Sequence, residues 1–133
     1  MKYLLDTNIC IYIIKKKPNK VIKHFREYKP GDISISSITV AELNYGIEKS
    51  SKPDTNYIAL SEFLQPLIVL DYTQMDSESY GKIRTELERK GTSIGAMDLL
   101  IASQAISRGL VLVTNNESEF KRVKRLRIEN WAK

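Results

Sequence analysis

The sequence predicts an α/β fold: one domain built on a central parallel sheet of about five strands, with helices on both faces. Three observations carry that prediction. Short apolar runs alternate with segments of helical period along the whole chain. The runs are apolar throughout rather than alternating, as strands buried on both faces are. The length, 133 residues, suits one core, so residues 1–133 are read as a single domain. A composition of 42% hydrophobic and 28% charged residues is that of a globular chain and excludes a disordered one.

The first strand is expected at Tyr3–Leu5. Helical segments Asn8–Lys16 and Asn19–Tyr28 follow, with Pro18 marking the break between them. A second strand, Ile33–Ser36, leads into helices Thr39–Lys49 and Asn56–Gln65, with "SSKPDTN" read as the turn. The third, Leu67–Leu70, precedes helices Gln74–Lys90 and Ala96–Arg108, and Gly91 and Gly109 stand where C-cap glycines end helices. The fourth strand is Leu110–Val113, and a weaker fifth lies near Leu126–Ile128. In such sheets ligands gather outside the carboxyl ends of the strands, at a topological switch point. Chemistry is therefore sought there.

Lys and Arg outnumber Asp and Glu by 21 to 16, giving a net charge of +5 that is compatible with a polyanionic partner. The lone Cys10 has no disulfide partner and no CxxC knuckle exists, which points to a reducing compartment. The apolar start is not read as a signal peptide, because Asp6 interrupts it and Lys15–Lys17 follow rather than precede it. No stretch approaches the roughly 20 apolar residues that cross a bilayer. A cytoplasmic protein with no membrane association is expected.

The acidic residues hold the chemistry. Asp6 falls at the carboxyl end of the first strand, where the plain reading is a helix N-cap worth about 1 kcal/mol. Glu42, in "SSITVAELNYGIEKS", lies beside the apolar stripe of Val40, Leu43 and Ile47, although a solvated glutamate would look the same. Asp98 is the only polar side chain from Ile94 to Ala102, and helical spacing sets it among Ile94, Ile101, Ala102 and Ala105. A carboxylate on so apolar a face is expected to be buried and therefore paired or metal-bound. Thr114, Asn115, Asn116, Glu117 and Glu119 follow the fourth strand, where Asn-Asn is also a common turn and cap.

Several carboxylates share a small site only if a cation offsets their repulsion. Oxygen donors with no Cys or paired His favour Mg²⁺, with Mn²⁺ as substitute, over zinc. His24 has no partner at metal spacing and is read as a surface residue. The basic runs "KKKPNKVIKHFR" and "KRVKRLR" are either solvated faces or phosphate contacts. Tyr12, Tyr45 and Tyr80 are candidates for stacking on RNA bases or for core and dimer contacts.

"LLDTNICIY", "ISSITVAELNYGIEKS", "GTSIGAMDLLIASQA", "LVTNNESEFKRV" and the closing "LRIENW" resemble the PIN-domain toxins of bacterial VapBC toxin–antitoxin modules. The motifs come in order and span nearly the whole chain. The resemblance implies a dimeric, Mg²⁺-dependent ribonuclease that cuts tRNA or rRNA, tRNA being the expected target here, until a VapB antitoxin blocks the site. It implies products with 5′-phosphate and 3′-hydroxyl ends. It places Asp6, Glu42 and Asp98 at the three acidic positions. Where many PIN domains carry a fourth acid this chain has Asn116, which leaves the fourth ligand open between Asn116 and Glu119 one helical turn on; Glu119 is expected to supply the missing charge, directly or through water, with Asn116 orienting it. Thr7, Asn8 and Thr114 are expected to orient the acids. Two other readings compete: a receiver-like phosphoacceptor domain with Asp71 after the third strand, and a non-catalytic RNA-binding module.

Overall fold

A computed structural model describes residues 1–133. Strand β1 (Tyr3–Leu5) is the centre of the sheet. It pairs in parallel with β2 (Ile33–Ser36) on one side and with β4 (Val111–Val113) on the other, Leu4 lying opposite both Ser34 and Leu112. Strand β3 (Ile68–Leu70) adds outside β2 and β5 (Ile128–Glu129) outside β4, so the order is β3-β2-β1-β4-β5 and every pair is parallel. The chain builds β2 and β3 to one side of β1, then crosses over to build β4 and β5. The switch point therefore lies between the carboxyl ends of β1 and β4. A receiver-type sheet runs 2-1-3-4-5, so the topology excludes the phosphoacceptor reading.

Alternation along β1 divides the core in two. Leu4 faces a cluster with α5 (Gln74–Arg89), α6 (Ala96–Arg108) and α7 (Glu117–Phe120), among them Ile83, Leu87, Ile101 and Phe120. Tyr3 and Leu5 face α1 (Thr7–Lys15), α2 (Asn19–Glu27), α3 (Ser37–Glu48) and α4 (Pro53–Leu64) through Ile9, Ile13, Val21, Leu43 and Leu60. Each such fully buried Leu or Ile contributes about 2 kcal/mol. Helices thus cover both faces, as expected. No helix is long and apolar enough to cross a membrane.

The differences from expectation have local causes. Helix α4 begins at Pro53, inside the segment read as a turn, because proline suits the first helical position, whose N–H has no partner anyway. The outer strand β3 is not buried on both faces: Ile68 and Val69 are exposed at the sheet edge. Strand β5 is shifted to Ile128–Glu129. His24 is not a free surface residue. It stacks on Trp131 (5.7 Å between ring centroids, planes 11° apart), while Tyr28 also stacks on Trp131 (5.4 Å, 12°). The closing "LRIENW" segment is docked by that aromatic pile.

Candidate active site

Asp6 leaves β1 and starts α1. Its backbone N–H donates to the Val113 carbonyl (2.9 Å), carrying the β1–β4 ladder one step past the strands. The side chain is 5% exposed. Oδ1 accepts from the Thr7 N–H (2.8 Å) and Oδ2 from the Thr114 hydroxyl (2.8 Å). Asp6 is thus an N-cap, as the plain reading held, and also a fixed carboxylate at the switch point. Burial lifts its carboxyl above the ordinary range; the two hydrogen bonds oppose that, and the charge of Glu42 adds to it.

The Thr114 hydroxyl that donates to Asp6 also accepts from the Asn116 N–H (2.9 Å). The Asn116 side-chain amide donates to Glu119 Oε2 (3.1 Å), so the short α7 turn presents Glu119 towards the same place. Glu42, on the second turn of α3, accepts from the Thr7 hydroxyl at Oε1 (2.7 Å). Thr7 Oγ1 also lies 3.3 Å from Thr39 Oγ1, on a fully buried residue one turn before Glu42. Two threonines therefore orient two acids: Thr114 holds Asp6, and Thr7 holds Glu42.

Asp98 stands in the first turn of α6, where the helix dipole favours a negative charge. It is half-buried, which corrects the expectation that it would be fully buried. Helical spacing identified the right neighbours, since Ile94, Ile101, Ala102 and Ala105 are all buried, but the carboxyl itself keeps contact with solvent. Its carboxyl is pushed up to about 7 by partial burial first, then by a hydrogen bond with Glu119 and the charges of Asp6, Glu119 and Glu42. Glu119 is held low, first by that bond from Asp98, then by Asn116 and the charge of Arg122. A proton shared between the two carboxyls is thus held more strongly by Asp98 than by Glu119. Asn8 is a further correction: it is exposed, and its side chain forms no hydrogen bond to a site acid.

Four carboxylates from four separate segments thus meet at the switch point, and their mutual charges are felt in the titration of Asp6 and Asp98. As placed, no three of them converge tightly enough to grip one ion, since Glu42 is turned onto Thr7 and Asp98 onto Glu119. The donors are all hard oxygens. That chemistry fits a divalent cation of the Mg²⁺ or Mn²⁺ kind, which would replace the proton between Asp98 and Glu119.

A sequence model of the PIN domain matches residues 3–126. Ribonuclease VapC2 of Haemophilus influenzae is 47% identical over 132 residues, 99% of either chain. The chain belongs to the PIN-domain family. Among PIN-domain proteins it is similar to VapC ribonucleases over its full length. A tRNA(fMet)-specific endonuclease VapC from Shigella flexneri is 46% identical over 99% of both chains. The crystal structure of DNA-bound VapBC from Salmonella typhimurium matches with a TM-score of 0.93 at 47% identity, covering 98% of each chain.

Sequence reasoning missed part of this PIN domain's support. Thr39 gave no signal, since a threonine inside "SSITVAEL" reads as helix filler. Nor did the pair of Asp76, fully buried on α5, and Arg108 on α6 (Nε to Oδ1 3.2 Å). Those two lie 32 residues apart, and nothing local joins them. Cys10 is buried beside Asp6; burial first, then the charge of Asp6, raises its thiol and keeps it inert.

Proposed function

We propose that this protein is the toxin of a type II toxin–antitoxin module, a Mg²⁺-dependent endoribonuclease that hydrolyses RNA phosphodiester bonds, with tRNA as substrate. One observation carries the reading: Asp6, Glu42, Asp98 and Glu119 gather at the switch point with Thr7, Thr114 and Asn116 bonded to them. Its relatives support it, being named ribonucleases and a tRNA(fMet)-specific endonuclease. The solved VapBC assemblies support a VapB-type antitoxin as partner, and the toxin's task is then to inhibit translation and growth until that partner blocks the site. A homodimer is part of the same proposal.

No histidine or serine nucleophile stands among these residues, so the chain itself supplies carboxylates and their orientation. Asp6, Glu42 and Asp98 are the proposed ligands of Mg²⁺, or Mn²⁺ as substitute. The chemistry a divalent cation supplies in such a site is acidification of the attacking water and neutralisation of charge at the leaving oxygen. Asp6 is fixed on two hydrogen bonds and offers its remaining lone pairs. The Thr7 hydroxyl donates to Glu42 Oε1 and so fixes one oxygen of that carboxylate. Asp98 and, directly or through water, Glu119 would supply the remaining negative charge to a bound cation, with Asn116 orienting Glu119.

The test is incubation with total RNA. Cleavage is expected with Mg²⁺, and its complete loss with excess EDTA, restored by Mn²⁺. An RNA-binding module without catalysis would bind under both conditions and cut under neither. Glu119→Gln is expected to raise the Mg²⁺ concentration for half-maximal cleavage about 10-fold, as changes outside the innermost ligands do. If that variant titrates with Mg²⁺ like wild type, the site rests on three acids and Glu119 is a capping residue.

A further inference from the structure

Both basic runs come near the acids: Lys15 lines a groove with Glu42, and the second run follows Glu119 directly. Lys15–Lys17 end α1, about 13 Å along the helix from Asp6. The run "KRVKRLR" begins directly after α7, and its side chains divide: Val123 and Leu126 are buried, while Lys121, Arg122, Lys124, Arg125 and Arg127 are exposed.

Arg122 differs from the others. Its Nη1 donates to the Ser93 carbonyl (2.8 Å), in the loop that leads through Gly95 to Asp98. Its backbone N–H donates to the Glu119 carbonyl (3.0 Å). The guanidinium thus ties the segment after Glu119 to the segment before Asp98, and it sits on the rim between two of the acids. It forms no ion pair; the paired cations are His24, Arg84, Arg108 and Lys133. A guanidinium has five N–H donors in a fork that matches phosphate, and the Ser93 bond uses one nitrogen.

An RNA strand must bring its phosphates up to four carboxylates. We propose that Arg122 is a substrate-positioning residue that binds a phosphate of the RNA backbone beside the bond that is cut. The proposal rests on the ribonuclease reading and deepens it. Anchoring on a backbone carbonyl pre-orders the side chain, so that little freedom is lost when a phosphate arrives. The contact carries no base information and acts on affinity and alignment.

The experiment compares wild type, Arg122→Gln and Arg122→Lys on one fluorescently labelled RNA stem–loop, with cleavage measured from 50 to 300 mM salt at saturating Mg²⁺. Arg122→Gln is expected to raise KM about 10-fold with kcat nearly kept, and to reduce the log–log salt slope by about one. Arg122→Lys keeps the charge but not the fork, and should restore the slope and part of KM. Binding of the same RNA to each variant in an Asp6→Asn background gives the slope without cleavage. A purely structural tie would instead lower kcat and thermal stability and leave the slope unchanged, which overturns the proposal. Wild type that leaves the RNA intact would sink the ribonuclease reading itself; wild type that cuts while Arg122→Gln keeps the wild-type slope would sink Arg122 alone.

Discussion

Asp6→Asn and Asp98→Asn are each expected to reduce RNA cleavage by more than about 100-fold, beyond the range of changes outside the innermost ligands, and to leave a folded protein. Asp6 is held by the Thr7 N–H and the Thr114 hydroxyl, and an asparagine oxygen accepts only one of those bonds as well. The loss of cleavage comes from the missing charge, since an amide is a weak partner for a hard cation. Stability should move the other way for Asp98. Its folded carboxyl titrates at about 7, above the ordinary 3.8, with burial as the main cause. A group raised in the folded state contributes stability that is present below the unfolded value and lost as pH rises through the folded one. In EDTA, wild type should therefore lose stability between about pH 4 and pH 8, the lowered Glu119 offsetting part of the loss. Asp98→Asn should melt with a flatter pH profile and be at least as stable as wild type at pH 8. Thermal melts across that range check both statements. A large loss of stability in both variants would make the carboxylates structural partners instead.

Arg108→Ala is expected to cost about 3 kcal/mol, because breaking a buried pair leaves an uncompensated charge. Asp76 has no exposed surface, and it accepts from Arg108 Nε (3.2 Å) and from the Thr73 N–H (2.8 Å). Burial works to raise its carboxyl, but Arg108, Thr73 and Ser107 together hold it below the ordinary range. That contribution is present above the unfolded value and lost as pH falls through the folded one. The Arg108→Ala variant should thus differ most from wild type at neutral pH and converge on it in acid. The guanidinium also donates to the Asp71 carbonyl (3.0 Å), so the loss loosens α6 on the segment after β3. Denaturant unfolding at pH 7 and pH 3 gives both numbers. A change within about 0.5 kcal/mol at pH 7, the size of an ordinary surface substitution, would show the pair to be dispensable.

What the sequence made legible follows physical range. Strands β1, β2 and β4 could be read because each is short, apolar and central, and the two threonines beside Asp6 because they adjoin strand ends. Helix α4 was misplaced at its start because Pro53 breaks a helix from within but opens one from its first turn. For Asp98 periodicity gives the right face but not the depth, since it fixes the angle around a helix and not how fully neighbouring chain covers a side chain. Asn8 adjoins the motif but is exposed and bonds to none of the acids. Thr39 and the Asp76–Arg108 pair depend on contacts across 32 residues, which local pattern does not encode.

The central claim is that the four carboxylates form one divalent-cation site, and direct Mn²⁺ binding tests it without reference to cleavage. Electron paramagnetic resonance of free Mn²⁺ should show the ion taken up by the wild-type protein, displaced by excess Mg²⁺, and bound at least about 10-fold more weakly by Asp98→Asn and Glu119→Gln, as ligand and outer-shell losses require. Mn²⁺ uptake that is equal in wild type and in Asp98→Asn, or absent from both, would contradict the account.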